Sequence, residues 1–385
     1  MASLVVAAAC APTTTGRDSG PAACEFPALG QDVAARYAEG VAADYARVLT
    51  LAQAMKTAVD GFVAAPSANG LEAARTAWLT ARLAYGETEV FRFYGGPIDD
   101  ETSGVEGQVN AWPMDEAYVD YVEGSATAGI INDANNQITG ASLLALNEQG
   151  GEENVATGWH AIEFLLWGQD QSAVGPGARP FTDYVTAAGG TATNADRRRQ
   201  YLGVVTEQLI VDLTALRDAW APGAAYRTSF LADSKVAVGR MLRGMGALGG
   251  AELAGERMSV AYEEKEQEDE HSCFSDNTHN DIISNARGIQ NVWLGRYSDG
   301  TSGVGLKALV SARNEALANR LDGEIAASMT AVNVIPPPFD QAILGEDSAT
   351  GRTSIRAAIE ALRTQTDTLV EAATAVCIQL SVEVE

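Results

Sequence analysis

Apolar residues return every three or four positions along most of this chain, in runs long enough to make whole helices. From Gln31 the stripe is Val33, Tyr37, Val41, Tyr45, Val48, Ala52, Met55, Val59 and Phe62, the spacing of one buried helix face. The Ala64–Gly70 stretch, with Pro66 inside it, ends that helix. A second helix is predicted over about 70–94, where Ala74, Trp78, Arg82, Tyr85 and Glu89 fall in line. Its stripe is half polar, which is unusual for a face turned to a core. Residues 98–121 read as loop, and Thr139 to Asn147 as a short helix. Helical patterns follow over about 197–220, 234–248 and 250–268, in a helix carrying Ile283, Ala286, Gln290 and Trp293, and over about 303–333 and 350–380, with Pro336-Pro337-Pro338 before the last. No strand run emerges. Helices of this length and number predict an all-α protein of the bundle kind. A faint echo links the two halves. Arg82 to Glu89, a Gly-rich turn and the helix of His160 are answered by Glu256 to Glu270, a polar loop and the helix of His279. It predicts two four-helix-type bundles related by internal duplication, over 29–220 and 221–385, after a leader and linker at 1–28.

The pattern is most unusual at Gly158-Trp159-His160-Ala161-Ile162-Glu163-Phe164-Leu165-Leu166-Trp167-Gly168, apolar except for one His and one Glu. Three residues apart on a helix, His160 and Glu163 share a face. The chain holds three His, at 160, 271 and 279. A His can bind a metal through one ring nitrogen while a carboxylate holds the other. A mixed nitrogen and carboxylate set suits iron, zinc or manganese. Two ligands are too few, so the rest must come from other helices. Glu89 on the half-polar stripe and His279 are the candidate ligands, with Arg82, Asp276 and Asp281 lining the same site. The plainer alternatives are a satisfied buried His–Glu pair, an Arg82 that only neutralises a carboxylate, and a His279 that only starts a helix. Ser275, Asp276 and Asn277 are candidate N-caps for that helix. His271 follows the acidic run Glu263–Glu270 and reads as exposed. Neither zinc-peptidase spacing is complete, because His160 has no second His nearby and residue 164 is Phe.

Charge narrows the partners. Twenty-six Lys and Arg against 51 Asp and Glu give a formal charge of −25, which argues against nucleic acid or an anionic bilayer. The apolar run Leu4–Ala9 ends at Cys10, with a small polar tether after it. This pattern fits a secretory signal and resembles a bacterial lipoprotein box, so Cys10 is a candidate lipid anchor. If Cys10 is lipidated, Cys24, Cys273 and Cys377 permit one disulfide, with three possible pairings.

The motif Gly158-x-His160-x-x-Glu163 and its continuation to Asp170 resemble the imelysin family (peptidase M75-like), in particular its iron-regulated protein A-like branch. Phe91–Asp99, Asn110-Ala111-Trp112-Pro113, Arg179–Tyr184 and Phe274–His279 are similar to that branch as well, so the resemblance spans about residues 30–380. It implies paired helical bundles with a shared cleft, in a bacterial periplasmic or cell-surface protein, often a lipoprotein, tied to iron uptake. It assigns His160 and Glu163 the ligand role toward iron, or toward zinc or another divalent cation. Glu89 and Arg82 would line the cleft, and Asp276 and His279 would reach it from the second half. A membrane iron transporter component is the partner implied. The family also carries a metallopeptidase label. A binding or scaffold protein without metal is the third class open to the sequence.

Overall fold

A computed structural model describes residues 24–172 and 174–381. The leader and Cys10 lie outside the described residues. The stripe beginning at Val33 becomes α1 (Gly30–Ala64), which buries Val33, Tyr37, Val41, Tyr45 and Val48 among others. Ser67 opens α2 (Ala68–Gly86) by accepting the backbone N–H of Gly70 on its side chain. Then follow α3 (Gly140–Leu146), α4 (Gly158–Trp167), α5 (Ala195–Ala219), α6 (Ala225–Leu231) and α7 (Ser234–Gly246). The second half continues with α8 (Val260–Glu264), α9 (Thr278–Leu294), α10 (Leu306–Ser311), α11 (Glu315–Asn333) and α12 (Thr350–Ala375). One-turn helices are left unnumbered. Among the described residues the only β pairing is two isolated bridges, so the protein is all-α.

Three predicted helices differ in instructive ways. The one expected over 70–94 stops at Gly86, where the Thr88 hydroxyl donates to the Tyr85 carbonyl and the chain turns into a 3-10 segment, Glu89–Phe91. The one expected over 303–333 is two helices, because the Asn314 side chain caps a fresh start by accepting from the Leu317 N–H. Between α7 and α8 the backbone widens into a π-helix, Ala247–Ser259, in a stretch that contains Gly249, Gly250 and Gly255. Glycine lowers the cost of leaving α geometry, and π segments gather at functional sites.

Helix α1 packs on α2 and α5, α11 packs on α12, and α9 joins the two groups by packing on both α2 and α11. The α2–α9 crossing is close because two glycines make room. A Cβ on Gly86 would meet the Ser284 Cβ at 2.7 Å, and one on Gly288 would meet the Glu87 carbonyl oxygen at 2.4 Å. That contact brings Arg82, one turn before Gly86, against Asp281, one turn before Ser284. The larger hydrophobic core draws on both sides of residue 220, and a smaller one gathers Leu253, Met258, Ile282, Phe339, Ile355 and their neighbours. A Cys24–Cys377 disulfide ties the start of the described chain to the end of α12 and leaves Cys273 free and buried. No helix among the described residues is long and apolar enough to cross a membrane.

Candidate functional site

Every residue of α4 is buried. The helix begins on Gly158 at φ 85°, and a Cβ there would sit 2.5 Å from the Val109 carbonyl oxygen, so only glycine suits this start. Two residues on, His160 is 1% exposed, and its Nδ1 lies 2.9 Å from Glu163 Oε2. The second Glu163 oxygen accepts from the Ser275 N–H at 3.0 Å and from its hydroxyl at 2.6 Å. Ser275 thus serves Glu163, whereas α9 begins without a side-chain cap from Asn277.

Arg82 is the hub. Its Nη2 lies 3.3 Å from His160 Nε2, 3.1 Å from His271 Nδ1 and 3.0 Å from Asp281 Oδ2. Its Nε donates to Asp281 Oδ1 at 3.2 Å, and its Nη1 donates to the Asn110 side-chain oxygen. A guanidinium only donates, so His160 Nε2 must present its lone pair there, and Nδ1–H must face Glu163. Asp281 also takes the Ser272 hydroxyl at 2.6 Å and the Asn277 amide at 3.1 Å, and its Oδ2 stands 2.8 Å from His271 Nδ1.

Burial and Arg82 drive the His160 pKa far down, and burial with Arg257 and Arg82 lowers His271 to about 4. Both rings are therefore neutral at pH 7: His160 offers the lone pair of Nε2, while His271 donates its Nδ1–H to the ionised Asp281 and keeps its lone pair on Nε2, 3.5 Å from Arg82 Nη2. Arg82 and His271 hold Asp281 well below the usual carboxylate range despite its burial. Glu163 goes the other way. Burial pushes it up to about 8, against the pull of Ser275 and Arg82.

The structure brings together four of the residues singled out in the sequence: His160, Glu163, Arg82 and Asp281. Glu89 belongs to an adjoining network. Its Oε2 accepts from Arg257 at 2.6 Å and Arg92 at 2.8 Å, and Asn110 spans the two networks by donating to it at 3.4 Å. Arg257 comes from the π-helix, also pairs with Glu252, and donates to Asn285 at 2.7 Å. Asp276 and His279 are not among the groups around His160. Burial, with the charges of Asp170 and Asp340, pushes Asp276 up to about 7, and half-buried His279 keeps an unpartnered Nδ1.

The reading of His271 as exposed is corrected: it is 2% exposed, with its ring centre 4.9 Å from that of His160. The acidic run ends where the chain turns inward at Glu270, and 270–275 is buried throughout. The small and apolar residues Ser272, Cys273 and Phe274 are the local signal for that turn. Above the site a cleft of about 380 Å³ is lined by Glu106, Glu148, Glu152, Glu252, Arg257 and His271 among others. Among the described residues no three His, Cys, Asp or Glu side chains already stand at metal-holding spacing. The point on which two ring nitrogens and a carboxylate oxygen converge is filled by the Arg82 nitrogen.

The imelysin sequence profile (peptidase M75) matches residues 41–369. The chain is 29% identical over 334 residues to iron-regulated protein A of Synechococcus elongatus, covering 86% of this chain and 81% of that one. A crystal structure described as an iron-regulated protein A precursor of Parabacteroides distasonis superposes with a TM-score of 0.72 at 21% identity, covering 92% of this chain and 97% of the other. An imelysin-like protein of Psychrobacter arcticum gives 0.66 at 14% identity, over 93% and 99%. At such identities the two structures speak for the fold alone. The profile match covers most of the chain, and the chain belongs to the imelysin family.

Proposed function

We propose that this protein binds iron as cargo in an iron-uptake system, at the buried site beneath the carboxylate-lined cleft. One observation carries the reading: His160 Nε2, His271 Nδ1 and Asp281 Oδ2 all lie within 3.3 Å of a single cationic nitrogen. Two imidazoles and a carboxylate are the donor set preferred by ferrous iron, and zinc or manganese would accept it too. Glu163 fixes the tautomer and direction of His160, as carboxylates behind metal-bound imidazoles do. Arg82 is a resident cation that neutralises Asp281 until it swings toward the cleft and gives up its place. The cleft glutamates Glu106, Glu148, Glu152 and Glu252 draw the cation in. The kinship with an iron-regulated protein supports the link to iron. In this reading the chain works in the periplasm or at the cell surface of a bacterium, held by a lipid on Cys10 and passing its cargo to a membrane transporter component. The halves 29–220 and 221–385 are duplicated bundles that meet at the α2–α9 crossing. Peptide hydrolysis is disfavoured because Glu163, the carboxylate nearest His160, spends both oxygens on His160 and Ser275 and is not placed to activate water.

The test is anaerobic ferrous titration of the wild type, His160→Ala, His271→Ala and Arg82→Gln. We expect one ion per wild-type chain, binding weakened by roughly 10–100-fold in each His variant, and tighter binding in Arg82→Gln. Equal affinity in the wild type and His160→Ala refutes the site. Weaker binding in Arg82→Gln refutes displacement of the arginine.

A further inference from the structure

In a chain with 51 acidic and 26 basic residues, α7 departs from the rule: it carries Lys235, Arg240 and Arg243 and no Asp or Glu. Arg240 and Arg243 are three residues apart and share a face of the helix. Among the described residues neither guanidinium is hydrogen-bonded or ion-paired. By contrast Arg36, Arg82, Arg179 and Arg257 each meet a carboxylate at 3.0 Å or less. The two arginines line a pocket of about 310 Å³ with Tyr94, Val236, Gly239 and the segment 378–381, and no lining residue is acidic.

The wall opposite α7 is firmly built. The chain leaves α12 through Cys377 at φ 66°, whose N–H donates to the Thr374 carbonyl at 3.0 Å, while the Ile378 N–H donates to the Ala373 carbonyl at 2.9 Å. These are the paired bonds of a Schellman cap, and the disulfide to Cys24 pins the same turn. On the other side, a Cβ on Gly244 would meet the Val90 carbonyl oxygen at 2.4 Å, so α7 sits close against the turn that brings in Tyr94. At Gly239 the floor stays open, because a Cβ there would find only Ile378 Cγ2, at 3.8 Å. The lining is of two kinds. Arg240 and Arg243 bring charge, and Gln379 and Ser381 bring neutral donors. Val236, 51% exposed, and Ile378 bring apolar surface. The Tyr94 hydroxyl is engaged by Tyr37 at 2.8 Å, so the ring is what Tyr94 has left to offer.

We propose that this pocket binds a soluble phosphate monoester with an apolar or aromatic body, at a site separate from His160 and independent of any metal. A phosphate monoester carries about −1.5 to −2 charges at pH 7, which two arginines balance and a lone carboxylate would not require. Guanidinium forks fit phosphate oxygens, and the apolar lining receives the rest of the ligand. The formal charge of −25 repels an anionic bilayer, which favours a soluble ligand over a lipid headgroup.

The experiment titrates the full-length protein calorimetrically with phenyl phosphate, with inorganic phosphate and with benzoate. Sedimentation with phosphatidylcholine vesicles, with and without phosphatidic acid, gives a membrane arm. The proteins are the wild type, Arg240→Gln, Arg243→Gln, the double variant and His160→Ala. Neither arginine has an internal partner to strand, so the arginine variants should keep the wild-type Tm. The proposal expects one saturable phenyl phosphate site in the wild type and in His160→Ala, with weaker binding of inorganic phosphate and of benzoate. Affinity for phenyl phosphate should fall by about tenfold in each single arginine variant and by about a hundredfold in the double variant. No saturable site in the wild type overturns the proposal, as does unchanged affinity in the double variant. Benzoate bound as tightly as phenyl phosphate overturns the phosphate class. Loss of binding in His160→Ala overturns the separate site. Capture on phosphatidic acid vesicles without binding of phenyl phosphate assigns the pocket to a lipid headgroup and overturns the soluble ligand.

Discussion

Arg82 and Asp281 are 1% and 2% exposed and meet through two nitrogens at 3.0 and 3.2 Å, so their pairing can be measured by a double-mutant cycle. Asp281→Asn replaces one acceptor oxygen by an NH2 in a place where Arg82, His271, Ser272 and Asn277 all approach. The guanidinium is then left in a dry site with Asn110 and two neutral rings. Stranding one member of a buried pair costs about 3–5 kcal/mol. Spread over the unfolding entropy of 385 residues, that is a fall in Tm of about 4–6 °C. Arg82→Met strands Asp281 instead. The cost falls at the lower end of that range, because His271 loses one of the arginines that depress it and can take up a proton. Urea unfolding followed by circular dichroism gives the free energy for both single variants and for the double variant. The second substitution then removes a charge that no longer has a partner, so the double variant should be more stable than the sum of the singles implies, by about 2–3 kcal/mol. Additivity within about 0.5 kcal/mol, or single costs below about 1 kcal/mol, refutes the claim that this pair anchors the α2–α9 contact.

Two further outcomes test the site's electrostatics and backbone. Glu163 has its folded pKa raised from 4.5 to about 8, so its contribution is complete below pH 4.5 and is lost as pH rises through 8. The stability difference, wild type minus Glu163→Gln, should fall by about 3–5 kcal/mol between pH 4.5 and 8.5 in urea unfolding, and a flat difference contradicts the assignment. Gly158→Ala places a Cβ at φ 85° and 2.5 Å from the Val109 carbonyl, costing about 2–4 kcal/mol; an unchanged Tm contradicts the strain argument.

The fold was legible because its signals are local and repeated. The α1 stripe, the short helix at 140–146 and the ends of α5 follow from periodicity, caps and breakers. What failed locally failed for tertiary reasons. The end of α2 lies where α9 packs closely on the Glu87 backbone, and no local residue signal in 247–259 separates a π-helix from an α-helix. At the site, the half-polar stripe of α2 announced Arg82, and the isolated polar pair in α4 announced His160 and Glu163. His271 was hidden because the acidic run before it looks solvated, and only the fold shows the chain diving at Glu270. His279 looked equivalent from spacing, yet it is His271, seven residues before the start of α9, that faces His160. Asn110 and Arg257 reach the site from a loop and a π-helix, where no helical face predicts direction.

The central claim is that the point now held by the Arg82 nitrogen is where iron goes. Crystals grown anaerobically with ferrous iron, with anomalous scattering recorded above and below the iron edge, test this directly. The account predicts an iron peak about 2–2.3 Å from His160 Nε2 and bonded to His271 and Asp281, with the Arg82 side chain turned toward the cleft. Iron bound elsewhere, with Arg82 still in contact with both rings and Asp281, contradicts it.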